Sequence, residues 1–467
     1  MAKTVVLPTD AGDVFTSGLA QIRIQNGIPA SFPVEVLAAA EEAARRPLGS
    51  EHVDRTELAF VTLDPTSSTD LDQAFAIERA AGGDMLLRYA IADVAWFVRA
   101  GDALDTEAWR RGVTIYLPDG RAGLYPPGLS EAAASLLAEG PRPAVVYIVR
   151  VTADGDAHLD GVERAIIRSR AKLGYETATA TDLPDGFDEF AARLTAAEER
   201  RGASRVETPE QEVVPDGEGR YHLALRPRLA NEDSNAAMSL ATNLAVADAL
   251  LAARTGLFRV MADPDERSIN RLRFTARALA LEWPANVDLR AFQRSLEPND
   301  AKHAAFLIAV RRATGGADYA PYADGVTPWH SAMAATYCHT TAPLRRLADR
   351  YVIEAALAIA NGASVPETVQ QAFTRLPKEM DAAETRASTV ERAVIDLAEA
   401  VVLHGAEGRT FTAVVTDIDD RGARIQLCDP AVVARVPARH VEPGDEVRVR
   451  LVAADPIKRQ ITFERVS

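Results

Sequence analysis

Two short apolar runs enclose a polar loop near the start of the chain, and this pattern predicts two strands joined by that loop. The run from Leu58 to Leu63 is typical of a buried strand, and Ala74 to Ile77 forms the second run. Between them, Pro65 and the Thr/Ser residues 66–69 exclude regular secondary structure. The end of the first strand, the loop and the start of the second strand therefore present four polar side chains: Asp64, Asp70, Asp72 and Gln73.

These four side chains have the composition of a magnesium site. In an extended segment, residues two apart face the same way, so Asp70 and Asp72 can converge. Converging carboxylates repel each other unless a cation lies between them, and Mg²⁺ suits oxygen ligands and phosphate chemistry. A solvated acidic loop, or Asp side chains that cap turns, explains the same spacing. A helix–loop–helix calcium site fits less well, because its central glycine is absent and the flanking segments are strand-like.

A second patterned segment, residues 330–360, predicts a helix with positive charge in its first turn. Arg345 and Arg346 would lie at the helix N-terminus, which is already positive, and Arg350 would add a like charge one turn further. A bound phosphate resolves this conflict, and pairing of Arg345 with Asp349 is the alternative. The expected boundaries are a cap at Thr340 or Thr341, Pro343 in the first turn, and an end at Asn361-Gly362.

The remaining pattern predicts a chain of mixed helices and strands. Apolar runs indicate strands at 4–7, 85–98, 143–152 and 162–169, and amphipathic runs indicate helices at 34–46, 186–202 and 231–257. The last part of the chain contains five short runs separated by Gly and Asp turns, which predict a small barrel at 411–418, 423–427, 432–437, 446–453 and 460–464.

Length and composition set the class of protein. A chain of 467 residues should form two or three domains. The net charge of −15 argues against a non-specific nucleic-acid coat but is compatible with a basic channel inside an acidic shell. We expect Cys338 and Cys428 to be reduced. Without an eighteen-residue apolar stretch or a charged-then-apolar leader in this sequence, we expect a cytoplasmic protein that does not contact membranes.

The two constellations resemble the signatures of the RNase II/RNase R (RNB) exoribonucleases. The first family motif is T-[IL]-D-x5-D-x-D-D-A, which residues 62–74 match except at Gln73, where the family usually has a fourth Asp. The second motif is Y-x-H-x-T-S-P-[IL]-R-[RK]-Y-x-D, which residues 337–349 match except at Ala342 and Leu347. A third match is Val390 to Asp396 against the family's A-E-R-x-V-x-D, and it places Glu391 at the position of a nucleotide-contacting glutamate.

The resemblance implies an α+β RNB catalytic domain over residues 56–406, preceded by a small N-terminal appendage (1–55) and followed by an S1-type OB barrel (407–467). It implies processive 3′-to-5′ hydrolysis of single-stranded RNA to nucleoside 5′-monophosphates by a monomer. Asp64, Asp70, Asp72 and Gln73 would hold Mg²⁺, with Mn²⁺ as an alternative, and Arg345 would stabilise charge on the phosphate. The RNA-contacting positions would be Tyr116, Arg345, Arg346, Glu391, Arg424 and Phe411.

Two departures from the family pattern keep rival functions open. Gln73 removes one negative charge from the metal site, which allows a catalytically weakened RNA-binding protein of the same fold. Val206 stands where the family has a Phe, so Tyr116 would grip the terminal bases alone. A third hypothesis is a metal phosphodiesterase that acts on another nucleotide polymer. A cleavage test with DNA of the same sequence would distinguish this hypothesis from an exoribonuclease, because DNA lacks the 2′-OH groups that an RNA-specific enzyme contacts.

Overall fold

The computed structural model of the chain describes residues 3–6, 12–80, 82–203, 210–215, 221–226, 229–297, 301–419, 422–428, 432–437 and 440–466. Within these ranges, a mixed sheet surrounded by helices and a C-terminal five-stranded barrel confirm the predicted α+β architecture. Val206 and its neighbours lie outside the described residues, so the expectation about a reduced aromatic clamp is not addressed by the structure.

The N-terminal segment is part of the main body of the molecule. It contains strand β1 (Lys3–Val6) and helices α1 (Gly12–Gln25) and α2 (Val34–Ala44), of which the sequence pattern had indicated only the strand and the second helix. A Cβ at Gly18 would lie 2.5 Å from Leu397 Cδ2, so the missing side chain lets α1 approach a residue near the other end of the chain. The apolar side chains of α1 and α2 join the main core.

A seven-stranded sheet carries the acidic loop. The spatial strand order is β10-β3-β4-β5-β8-β9-β2, and only the two edge pairs, β10–β3 and β2–β9, are parallel. Strand β3 is almost wholly buried, as its apolar run predicts, and it delivers Asp64 to its end. In chain order the elements are β2 (Val53–Asp54), β3 (Phe60–Asp64), β4 (Gln73–Arg79), β5 (Met85–Ala92), α3 (Val94–Phe97), α4 (Ala103–Arg111), β6 (Ile115–Leu117), β7 (Gly120–Ala122), β8 (Arg142–Val151), β9 (Ala157–Ile167) and β10 (Ser169–Gly174).

A long helix covers this sheet. The chain continues through α5 (Phe187–Arg201), β11 (Glu210–Pro215) and β12 (Tyr221–Arg226), and the last two strands pair with β1 in the order β1-β12-β11. Helix α6 (Ala230–Ala252) follows and packs on the central sheet. By length and composition α6 could cross a membrane, but 67% of its apolar window is buried inside the protein, as in the core helix of a folded domain.

Three helices form a small core of their own beside the sheet. They are α7 (Glu266–Ala278), α8 (Leu289–Arg294) and α9 (Ala301–Thr314), and the strand pair β13 (Leu257–Val260) and β14 (Asp318–Pro321) brackets them. Trp283 stacks on Phe292 with ring centroids 5.0 Å apart, inside an apolar cluster that is separate from the main core.

Two helices and a barrel complete the chain. After the short pair β15 (Trp329–His330) and β16 (Ala335–Thr336) come α10 (Leu347–Ala360) and α11 (Glu367–Leu403). The five predicted tail strands are confirmed as β17 (Thr410–Asp419), β18 (Gly422–Leu427), β19 (Val433–Val436), β20 (Glu446–Asp455) and β21 (Gln460–Arg465), in the order β19-β18-β17-β20-β21. Buried Glu399 joins α11 to the barrel, because its Oε1 accepts a hydrogen bond from Val433 N of β19 at 2.8 Å. The same oxygen accepts a second bond from Gln211 Nε2 of β11 at 2.7 Å.

Candidate active site

Buried Leu71 helps to hold the loop between β3 and β4 in place. Leu71 is fully buried, its N–H donates to Ser135 Oγ at 2.9 Å, and its carbonyl accepts from Leu136 N at 3.0 Å. Because neighbouring side chains in an extended segment point to opposite sides, Asp70 and Asp72 face away from Leu71. Both of these carboxylates and Asp64 line one cavity of about 1260 Å³.

The arginine segment of the second motif lies against this loop. Asp72 is 4% exposed, and its Oδ1 accepts a hydrogen bond from Leu344 N at 2.7 Å. Its Oδ2 lies 3.4 Å from Arg345 Nε, and the Arg345 side chain remains 46% exposed to the cavity. The structure therefore brings together the acidic loop and the arginine that the two sequence motifs predicted separately.

The start of the arginine-bearing helix differs from the prediction. Helix α10 begins at Leu347, so Arg345 and Arg346 precede its first turn, and Pro343 lies in a turn rather than in the helix. The reason is a long-range contact: Thr114 N donates to the carbonyl of Arg345 at 3.0 Å, and Leu347 N donates to the carbonyl of Gly112 at 2.9 Å. These bonds hold the backbone extended at Arg346, with φ −133° and ψ 123°.

Asp349, the alternative partner expected for Arg345, pairs with Arg346 instead. Asp349 accepts two hydrogen bonds from Arg346, at 2.9 and 2.8 Å, and a third from Ala342 N at 2.7 Å. The alternative in which Asp349 neutralises Arg345 is therefore wrong. Arg350, the expected like-charge neighbour, is buried and pairs with Asp105. The Arg345 guanidinium lies near Asp72 and faces the cavity, whereas the N–H of Leu344 is already bound to Asp72 and is not available to a phosphate.

Tyr116 lies at the mouth of the cavity on the β6–β7 hairpin. It is 51% exposed, and its hydroxyl donates to Asp70 Oδ2 at 2.8 Å. Arg121, on the other strand of the hairpin, forms an ion pair with the same carboxylate and a second one with Glu131 at 3.1 Å. Sequence reasoning missed Arg121, although its position directly after the Pro-Asp-Gly turn places it across the hairpin from Tyr116.

Gln73 occupies the position of the missing fourth carboxylate, and both ends of its amide are bound. Its Nε2 donates to the carbonyl of Thr341 at 2.7 Å, and its Oε1 accepts from the Tyr89 hydroxyl at 2.8 Å. Tyr89 in turn shares a hydrogen bond with Ser239 on α6 at 2.8 Å. Gln73 therefore links β4 to the arginine segment. The predicted role as a metal ligand would require its oxygen to share or give up the Tyr89 bond.

Burial changes the acidity of the two inner carboxylates. It raises the pKa of Asp64 to about 7 and that of Asp72 to about 8, while the nearby Arg345 acts in the opposite direction on both. Asp64 Oδ2 is buried and has no hydrogen-bond partner. Among the residues that the structure describes, no group of three or more His, Cys, Asp and Glu side chains is close enough to form a metal cluster as it stands.

Carboxyl groups outnumber arginines among the described residues that line the cavity. Helix α6 contributes a polar face from Glu232, Asn235, Ser239 and Asn243, which follow one another at helical spacing. The predicted Glu391 also lines the cavity, from α11. Three arginines, at 121, 345 and 346, oppose seven carboxylates, which belong to Asp64, Asp70, Asp72, Glu198, Glu212, Glu232 and Glu391.

The barrel positions do not form part of this cavity. Phe411 is only 9% exposed and packs edge-to-face on Phe463, with ring centroids 6.0 Å apart. The expectation that Phe411 presents its ring to RNA is corrected by this burial, and Phe463 is buried too. Arg424 lies on β18 opposite Arg435 of β19, so these two arginines neighbour each other across a pair of barrel strands.

The comparison with protein families defines the class of protein. The RNB domain matches residues 52–359, and the RNase II-type exonuclease C-terminal S1 domain matches residues 409–466. The chain therefore belongs to the RNB family of exoribonucleases. The predicted family is confirmed, whereas the exact domain boundaries stay a prediction.

Individual relatives agree with this assignment. Ribonuclease R of Aquifex aeolicus is 26% identical, over 94% of this chain and 69% of that protein. Exoribonuclease 2 of Cronobacter sakazakii is 29% identical, over 82% of this chain and 62% of that protein. The fold matches that of Mycoplasma genitalium RNase R in complex with ribose-methylated single-stranded RNA, with a TM-score of 0.84 at 19% identity, over 97% of this chain and 78% of that chain.

Proposed function

We propose that this RNB-family protein is a Mg²⁺-dependent exoribonuclease that degrades single-stranded RNA processively from the 3′ end and releases nucleoside 5′-monophosphates. The observation that carries the proposal is the contact of Asp72 with Leu344 N and its approach to Arg345. This contact places a carboxylate set and a half-exposed guanidinium on one cavity, an arrangement that suits phosphodiester hydrolysis.

The donor chemistry of the cavity fits a divalent cation. Asp64 Oδ2 is buried without a partner, and Asp70 raises the pKa of both Asp64 and Asp72 as a nearby like charge. Asp64, Asp70 and Asp72 repel one another when ionised, and a cation among them offsets that repulsion. Asp64, Asp70 and Asp72 would hold Mg²⁺, or Mn²⁺ in its place. When bound, the ion would supply an activated water and offset charge on the leaving oxygen.

The protein side chains would position the substrate. Arg345 would bind the non-bridging oxygens of the scissile phosphate, since its guanidinium faces the cavity and keeps Asp72 as a near neighbour. The exposed ring of Tyr116 would stack on a terminal base, while its hydroxyl orients Asp70. Stacking and phosphate contacts do not distinguish one base from another, so we expect little sequence preference.

A 5′-labelled oligo-RNA tests the proposal directly. Incubation with the protein and Mg²⁺ should convert the label to a short end product and release mononucleotides, whereas EDTA should prevent both. Substrate that stays intact at high protein concentration contradicts the proposed activity. DNA of the same sequence is the control for substrate class, because loss of 2′-OH contacts should make it a poor substrate.

The second candidate is an RNA-binding protein of the same fold with weakened catalysis. The observation in its favour is Gln73, which adds no charge to the acidic loop and whose amide is bound by Thr341 and Tyr89. RNA binding without turnover, measured at matched protein concentrations, supports this candidate. Turnover by the unmodified protein at rates that Gln73→Asp does not increase supports the active enzyme.

A further inference from the structure

A second cavity, of about 930 Å³, has a charge balance opposite to that of the active-site cavity. It lies among the end of α5, the start of α7, helix α8 and the turn after β15. Four arginines and two aspartates are among the residues that line it: Arg200, Arg201, Arg290, Arg294, Asp263 and Asp288. The chain has a net charge of −15, so an excess of arginine in one concave surface is unusual for it and favours an anionic ligand there.

The two cavities adjoin each other. Two segments of the chain contribute to both: the last two turns of α5 and the turn at 331–334. Glu198 and Met333 line the active-site cavity, and the second cavity is lined by their near neighbours Arg200, Arg201, Ser331 and Ala332. The arginines of the second cavity therefore lie within a few residues of the active-site lining along α5.

Both aspartates of the second cavity already have partners. Asp263 accepts a hydrogen bond from Arg290 at 2.6 Å, and Asp288 caps α8 by accepting one from Ala291 N at 2.7 Å. Neither carboxylate is bonded to Arg201 or to Arg294. The cavity's acidic groups therefore leave these two guanidinium groups to other acceptors.

Arg201 and Arg294 are the two arginines that a ligand would satisfy. The Nε and Nη2 atoms of Arg201 are buried without a hydrogen-bond partner, and burial lowers its pKa. Unpaired buried donors are costly, so an acceptor that reaches them gains more here than at a solvated arginine. Because these two atoms are shielded from solvent, the Arg201 side chain must turn toward the cavity to meet such an acceptor. The Arg294 guanidinium lies against the end of α5, with Nη1 3.0 Å from the position that a Cβ on Gly202 would take.

We propose that this second cavity binds backbone phosphates of the RNA strand that leads into the active-site cavity. The inference rests on the proposed function, and it supplies what the active-site cavity lacks. Two of the three arginines in the active-site cavity are already paired, Arg121 with Asp70 and Arg346 with Asp349, whereas unpaired guanidinium groups are free to recognise phosphate oxygens. Trp329 lines the same cavity and is 39% exposed, so it offers a base a stacking surface.

Fluorescence anisotropy with labelled RNA of twenty and four nucleotides tests the proposal. The background is Asp72→Asn, so that bound RNA stays intact, and the charge variant is Arg201→Gln with Arg294→Gln. Arg45→Gln with Arg254→Gln is the matched control, because both residues lie on the exposed surface outside either cavity. We expect the charge variant to bind the longer RNA about tenfold more weakly, with the slope of log affinity against log salt reduced by about 1.4 for two lost contacts.

Each outcome bears on the proposal. Unchanged affinity and salt slope for the longer RNA, or an equal loss in the control variant, overturns it. Competition by AMP at micromolar concentration also overturns it, because the cavity would then be a free-nucleotide site. Thermal denaturation identifies a folding defect, in which case Arg294→Gln alone is compared, since Arg294 makes no hydrogen bond to any residue that the structure describes. If the unmodified protein cleaves no RNA, the proposed activity fails, while the binding comparison still decides this site.

Discussion

Asp72 accepts a hydrogen bond from the backbone N–H of Leu344 at 2.7 Å, across 272 residues of sequence. The bond is buried, and it fixes the turn that carries Arg345 beside the acidic loop. The Asp72 carboxylate faces Arg345 and also holds the backbone of Leu344, so the positions of Asp72 and Arg345 depend on each other. The two sequence motifs are therefore two halves of one site.

Replacement of Asp72 by Asn separates catalysis from folding. Asn keeps an acceptor for Leu344 N but removes the negative charge near Arg345 and from the metal ligands. We expect cleavage of 5′-labelled RNA to fall at least about 100-fold, as for loss of a group that stabilises the transition state. RNA binding, measured by anisotropy, should change little, and wild-type cleavage rates for Asp72→Asn would contradict the metal assignment.

The sequence predicts the groups of this site well because they depend on local pattern. The apolar run before Asp64 and the turn-forming residues after it determine a strand and a loop without outside help. The five tail strands follow from alternation in the same way. The alternation of apolar and polar residues also predicts that Phe411 is buried. Phe411 shares the buried face of β17 with Ala413 and Val415.

What the sequence could not predict depends on contacts between distant segments. The start of α10 shifts to Leu347 because Gly112 and Thr114 bind the backbone on either side of Arg346. The partner of Asp349 changes for the same reason, since the extended backbone turns Arg346 rather than Arg345 toward it. Local helix rules contain no information about such partners.

The bridge made by Gln73 predicts the effect of restoring an acidic residue there. Gln73→Glu keeps an acceptor for the Tyr89 hydroxyl but leaves the carbonyl of Thr341 without a donor and facing a negative charge. We expect a loss of about 1–3 kcal/mol in the free energy of unfolding, measured by urea denaturation. Gln73→Asp should lose both bonds and show no gain in cleavage rate. A large gain in rate for Gln73→Asp would instead favour the catalytically weakened RNA-binding protein.

Two substitutions of Tyr116 distinguish its ring from its hydroxyl. Tyr116→Phe keeps the exposed ring and removes the hydrogen bond to Asp70 at 2.8 Å, so kcat should fall while KM for RNA stays near that of the unmodified protein. Tyr116→Ala removes the ring as well, and a stacking contribution of about 1–3 kcal/mol per base predicts a KM raised roughly tenfold or more. Steady-state kinetics on one short RNA measures both. An unchanged KM for Tyr116→Ala would show that no base stacks on this ring.

The raised pKa values of the inner carboxylates predict how pH and Mg²⁺ act on stability. In the folded protein the pKa is about 7 for Asp64 and about 8 for Asp72, against 3.8 for an ordinary Asp. The folded state therefore holds these protons more tightly than the unfolded state does. Their contribution to stability is complete below about pH 4 and is lost as the pH rises toward 8.

We therefore expect the Tm of the metal-free protein to fall between pH 5.5 and 8.5, and Asp64→Asn with Asp72→Asn to flatten that fall. The difference between the two proteins is the quantity to compare, because burial also raises the pKa of Glu399 to about 7 and Glu399 titrates in both. Mg²⁺ competes with the protons for the same oxygens, so it should raise the Tm of the unmodified protein more at pH 8 than at pH 6. An equal Mg²⁺ effect in the double variant would place the ion elsewhere, since that variant lacks two of the three proposed ligands.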